Sequence, residues 1–251
     1  MAPTLPANTG PQSVPAGEGA GPWNGTLVRS RIFDALSLLL PAGEAFFVAT
    51  LERWRTEASP DGVLAAEIDR FIREEHAHAR AHARYNAALI DSVPAASAIA
   101  ARATQVTRDL DSFGMPMKLA LVAAFEHLTA LLSREIVEHR RLIADNDSRQ
   151  SRTWHWHAHE ELGHCRVAAD AAAHAGVGRG LLALALVVAT GYLAFDVARY
   201  AAALCRCDAA RGTSRRKLFG QACGFAAGSL PSLARMACGW WRGMAMPARP
   251  R

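Results

Sequence analysis

Apolar positions recur along most of this chain at helical rather than strand spacing, and short breaks divide it into segments. Residues 1–26 are rich in Pro, Gly, Ala and Thr and show almost no periodicity, which predicts a flexible N-terminal tail. Residues 27–40 form a short apolar element that reads as either an approach strand or a first helical turn. Pro41 then opens a helix running to Trp54, with proline in its first turn. Ser59-Pro60-Asp61-Gly62 is a turn, and Ser59 or Asp61 is placed to cap the long helix 63–90. Val93-Pro94 breaks that helix, and further helices are expected over 95–112 and 117–141. A polar loop at 145–148 leads into a helix over 149–176, which Gly176, Gly178 and Gly180 terminate. The next segment, 181–207, has an apolar run that ends at Asp196. That run is shorter than the roughly 20 residues of a membrane span, so a buried helix is expected, with a membrane-associated helix as the alternative. A last helix over 216–243, interrupted near Gly228 and Pro231, could cover the bundle, cap a substrate tunnel or form a homodimer.

Composition supports an all-α reading. Hydrophobic residues make up 51% of the 251 residues, alanine is abundant and β-branched residues are sparse. This predicts a single helical domain over 27–251, of which 213–251 is a basic C-terminal helical extension. The net charge is +5, and from Arg211 to Arg251 there are eight basic residues and no acidic one. Such a region suits an anionic ligand or peripheral membrane contact. No motif for nucleic-acid binding accompanies it. The five cysteines are odd in number and loosely spaced, which argues against a disulfide framework and for a reducing, cytoplasmic setting. The N-terminus lacks the charged-then-apolar pattern of a secretory signal.

The chemistry lies in polar residues set on apolar helices. Glu44 sits beside Phe46 and Phe47, and Glu126 interrupts the run from Leu119 to Leu128. A carboxylate in such a setting is either near the surface at a helix start or buried against a cation. Two Glu-x-x-His units, Glu75/His78 and Glu161/His164, each place a carboxylate and an imidazole on one helix face. Two lone glutamates plus two Glu-x-x-His units form the donor set of a ferritin-like, carboxylate-bridged dimetal bundle. Four carboxylates would neutralise two divalent ions; without them they would repel one another. His157 lies one turn before Glu161 and is a candidate seventh ligand. His82 and Glu160 are candidates for additional ligation or for orienting the ligands. Glu67, Glu74 and His76 read as solvent-facing. Phe46, Phe47, Phe125 and Trp156 are candidates to line a substrate channel.

The stretches FIREEHAHARAHARYN and WHWHAHEELGHCRVAAD, together with AFEHLTA around Glu126, resemble a bacterial family of predicted metal-dependent hydrolases. The residues that carry the likeness are Glu75, His78, His82 and Asn86, then Trp154, Trp156, His157, Glu160, Glu161, His164, Val167, Ala168 and Asp170. The order of ligands also resembles the diiron N-oxygenases, which carry the additional histidine as a ligand. The second resemblance implies two iron ions (manganese or a mixed pair being alternatives), dioxygen as co-substrate and a redox partner as external electron donor. On this reading Glu44, Glu126 and Glu161 are catalytic, and the expected activity is that of a non-heme diiron monooxygenase acting on a small hydrophobic, acyl or thioester substrate. The alternatives are a dinuclear metal-dependent hydrolase and a ferritin-like metal-binding protein without an organic substrate.

Overall fold

The computed structural model describes residues 21–245, which form eight helices and, among the described residues, no strand. They are α1 (Leu27–Ala58), α2 (Gly62–Ser92), α3 (Pro94–Leu110), α4 (Met115–Val137), α5 (Arg149–Glu161), α6 (His164–His174), α7 (Arg179–Ala210) and α8 (Arg215–Ala245). The first twenty residues of the expected tail lie outside the described residues. Within residues 21–26, Trp23 and Asn24 are packed against the helices. Asn24 is fully buried and donates from Nδ2 to the Leu142 carbonyl, and Trp23 Nε1 donates to Asp34.

Several boundaries differ from the sequence reading. Residues 27–40 are neither a strand nor a separate element; they are the first half of α1, and Pro41 lies inside that helix. Proline has no N–H for the carbonyl four residues earlier, that of Ser37. The Asn86 side-chain amide on α2 donates to that carbonyl instead (2.8 Å), so the helix continues. The 149–176 segment is two helices, divided by a turn at Leu162–Gly163. The last helix is continuous through Pro231.

Capping is as the turn chemistry suggests: Asp61 accepts from the amides of Val63 and Leu64, while Ser59, in the left-handed region, ends α1. α1, α2, α4 and the α5–α6 pair surround the interior. The main core joins Phe46, Phe47, Trp54, Phe71, Leu119 and Ala168 across them. At the N-terminal end of α1, buried Arg31 pairs with Asp34 and with Asp208 of α7 (both 2.8 Å), and Tyr85 of α2 donates to Asp34. Removing one partner of such a buried cluster costs about 3–5 kcal/mol.

α7 is not the buried helix expected. It is the most apolar of three helices long and apolar enough to cross a membrane (α1, α4 and α7), yet only 22% of its apolar window is buried. α8 lies over α1, α4 and α7. Its glycines make the close approach to α4: a Cβ at Gly239 would meet Leu131 at 2.4 Å, and one at Gly243 would meet His127 at 2.4 Å. All five cysteines are free.

Candidate metal centre

Four helical segments deliver the predicted ligands to one place. Glu44 comes from α1, Glu75 and His78 from α2, Glu126 from α4, and His157, Glu161 and His164 from the α5–α6 pair; all seven are buried. Glu75, His78, Glu161 and His164 each bring one ligand atom within 4.8 Å of the others, and Glu44, His78 and His157 form a second such group. Glu126 is in neither group. It borders them closely enough that the Glu161 and Glu75 charges act on its carboxyl. The turn at Leu162–Gly163 leaves Glu161 and His164 three residues apart and still converging, with Nδ1 and Oε2 3.1 Å apart.

The donor atoms crowd together, and several of them are left without a hydrogen-bond partner. Both oxygens of Glu44, both of Glu126, Glu161 Oε2 and His164 Nδ1 are buried without a hydrogen-bond partner. His164 Nδ1 lies 2.8 Å from Glu75 and 3.1 Å from Glu161 without hydrogen-bonding direction. A buried, partnerless carboxylate costs several kcal/mol unless a cation completes it. Carboxylate and imidazole donor atoms that meet at this range fit metal ligation, in which the ions displace the protons held there. The residues present therefore suit a pair of metal ions held by mixed carboxylate and imidazole donors.

Each histidine of the two Glu-x-x-His units is held from behind by the other unit. His78 Nε2 meets Glu160 at 3.1 Å, and His164 Nε2 meets Glu74 at 2.9 Å. The outer nitrogens are thus occupied, and Nδ1 of each faces the centre. Glu74 is therefore not the solvent-facing residue expected. The overlooked signal is a doublet: Glu74-Glu75 and Glu160-Glu161 stand at the same place in the two units. In each doublet the second glutamate faces the centre and the first braces the opposite histidine.

Donor accounting also sets the tautomer of His157. Asn86 Nδ2 is committed to the Ser37 carbonyl, so its Oδ1 accepts the Ser37 hydroxyl proton (2.7 Å). Ser37 Oγ has only that one hydrogen, so it accepts from His82 Nδ1 (2.8 Å). Burial, and secondarily the His78 charge, drive the His82 pKa down to about 3, which keeps the ring neutral. Its Nε2 then accepts from His157 Nδ1 (3.1 Å). Burial also pushes His157 well down and keeps it neutral. The lone pair of His157 is left on Nε2, 3.6 Å from Glu161 Oε2. His82 is thus an orienting residue, outside both ligand groups.

Electrostatics follow from burial. Desolvation, then the charges of Glu75 and Glu161, raise Glu44 well above the ordinary carboxylate range. Desolvation and the same two charges do this to Glu126. Burial opposes charge on His164, but the Glu161 and Glu75 carboxylates overcome it and push its pKa up to about 12. Against their own burial, Glu75 is lowered by His164 and His78, and Glu161 by His164 and His157.

Of the four proposed channel aromatics, Phe46, Phe47 and Phe125 meet one another and Trp156 does not join them. Phe46 and Phe47 are core residues, with Phe47 stacked on Phe125 (6.0 Å), which in turn meets Tyr192 edge-on. Trp156 lies apart, at the surface, its ring edge-on to His78 at 5.0 Å. Neighbours in sequence point about 100° apart on a helix, so adjacency to a ligand does not place a ring beside it.

A family model described as "Predicted metal-dependent hydrolase" matches residues 21–245. The chain belongs to this family. Among curated proteins and solved structures nothing matches. Membership overturns the monooxygenase expectation: the ligand inventory is common to both chemistries, and the family description supports hydrolysis. The resemblance in ligand order to N-oxygenases reports the donor set, which metal binding alone requires.

Two predictions follow from the centre's electrostatics and bracing. Glu74→Ala and Glu160→Ala should each weaken metal binding by about 10–100-fold with the helix content unchanged; affinities equal to wild type would mean that the braces are incidental. In metal-free protein, folded His164 keeps its proton to about 12 whereas its ordinary value is 6.5. The folded state therefore binds more protons than the unfolded chain over that span, and metal-free stability falls as pH rises through it. His78, Glu44 and Glu126, all raised, act in the same direction, whereas His82 and His157 are neutral in both states there. Metal displaces those protons, so the difference in Tm between loaded and metal-free protein should widen from about pH 6.5 to about pH 9. Thermal melts showing a constant difference would contradict this.

Proposed function

We propose that the bundle is a dinuclear metal-dependent hydrolase whose ligands are Glu44, Glu75, His78, Glu126, His157, Glu161 and His164. The observation that carries the reading is the four partnerless, fully buried oxygens of Glu44 and Glu126 opposite the Glu75–His78–Glu161–His164 cluster. The donors are carboxylates and imidazoles, a set that suits iron, manganese or zinc, mixed pairs included. When bound, two such ions supply Lewis-acid polarisation of a carbonyl and a water acidic enough to attack it.

The chain's own residues supply position and proton handling. Glu75 and Glu161, held ionised by the histidines, anchor the pair. Glu160 and Glu74 fix the rings of His78 and His164, and His82 fixes that of His157. Glu126, neither of whose oxygens has a hydrogen-bond partner in the protein, would lose its proton to bound metal, ligate through one oxygen and leave the other to accept the proton of the attacking water, the role we assign to it. The apolar core carried by the same helices as Glu44 and Glu126, to which Phe46, Phe47 and Phe125 belong, favours an uncharged carbonyl ester or thioester with an apolar acyl group.

The test uses p-nitrophenyl acyl esters of graded chain length with the full chain. Chelation should abolish hydrolysis, and manganese or zinc should restore it under strict exclusion of dioxygen. Glu126→Gln should lower kcat by about 10²–10⁴-fold with little change in KM. Turnover that survives chelation, or that requires dioxygen and a reductant, would overturn the assignment.

A further inference from the structure

Among the described residues, the surface formed by α7 and α8 is apolar, basic and uncovered. On α7, Leu184, Val187, Val188 and Phe195 are each at least half exposed and share one face. On α8, Phe219, Leu230, Leu233 and Trp241 repeat at helical spacing and are at least as exposed. The two stripes are neighbours. Trp240 Nε1 donates to Thr190 Oγ1 (2.9 Å), and by helical phase these residues border the stripes of their own helices. A helix apolar on every side is normally buried or in contact with lipid. α7 is of that kind, with a window of mean hydropathy 2.1 that the bundle largely leaves open.

Charge decides among the occupants. From Arg179 to Ala245 the chain has nine basic residues and two carboxylates, Asp196 and Asp208. Both carboxylates are buried, engaged by Arg199 (3.1 Å) and Arg31 (2.8 Å). Arg206, Arg215, Arg216 and Lys217 are exposed at or near the α7–α8 turn. A second copy docked through the same face would meet cations with no acidic group to pair with them. An anionic bilayer offers both complements, phosphate for the arginines and acyl chains for the stripes. Arg199, whose guanidinium lies over the rings of Phe195 (5.5 Å) and Tyr200 (4.6 Å), is suited to the boundary between them. α7 would lie on the surface rather than span it, because Ala185, Leu186 and Ala189 of the same segment belong to the core.

We infer that the α7–α8 face docks the protein on anionic membranes as a peripheral, monotopic contact. The inference is independent of the hydrolase reading. The test is flotation of the metal-loaded full chain with phosphatidylcholine vesicles, with and without phosphatidylglycerol, at low and high salt, alongside light scattering without lipid. The expected result is a monomer that floats with phosphatidylglycerol vesicles and is released by salt. The triple change Arg215→Ala, Arg216→Ala, Lys217→Ala and the double change Val188→Glu, Leu230→Glu should each reduce binding at least about tenfold, with metal content and circular dichroism unchanged. Three results would overturn it. One is failure of wild type to float with phosphatidylglycerol vesicles. Another is equal binding to phosphatidylcholine alone that the triple change leaves intact. The third is a lipid-free dimer that the Glu substitutions dissociate.

Discussion

Four glutamates brought together inside an apolar bundle cannot all stay ionised on their own, and much of the structure answers that constraint. Glu75 and Glu161 remain charged because His78 and His164 lie against them. Glu44 and Glu126 have no such partners and are driven toward the protonated form. A cluster of this kind is an expensive way to hold helices together, since apolar side chains of the same volume would pack as well without desolvating charge. Its retention is explained by metal binding, where two divalent ions balance four carboxylates.

The centre is oriented by residues that are not themselves ligands. Pro41 takes one hydrogen bond out of α1, and the Ser37 carbonyl it leaves orients Asn86. From there the donors run in one direction through Ser37, His82 and His157, leaving the last lone pair aimed inward. A local defect in one helix thereby determines which nitrogen of a histidine on another is free to ligate. The crossed braces from Glu74 and Glu160 do the same for the other two rings, so each unit's histidine depends on the partner unit's position.

Much of the centre was legible in the sequence because buried charge is conspicuous there. Glu44 and Glu126 stand out against apolar neighbours, and the two Glu-x-x-His spacings carry their own helical phase. Glu74 was not legible as a single residue, since an exposed glutamate on a helix needs no explanation; only the parallel with Glu160 reveals it. The turn at Gly163 escaped because a three-residue spacing survives it. The division of labour among the aromatics depends on rotation about each helix axis, which neighbours in sequence do not reveal. α7 misled for a related reason: an apolar run without a polar face reports that water is excluded, but not whether protein or lipid excludes it. The choice of chemistry was likewise beyond the ligand set, because oxygen activation and hydrolysis draw on the same donors.

The central claim is that these residues hold two metal ions in one shared shell. X-ray absorption at the metal edge of the purified full chain, with metal content per chain, tests it most directly. The account predicts two ions per chain, first-shell scattering from oxygen and nitrogen only, and a metal–metal distance of about 3.5–4 Å. A single ion, sulfur in the first shell, or two ions with no metal neighbour in that range would contradict it.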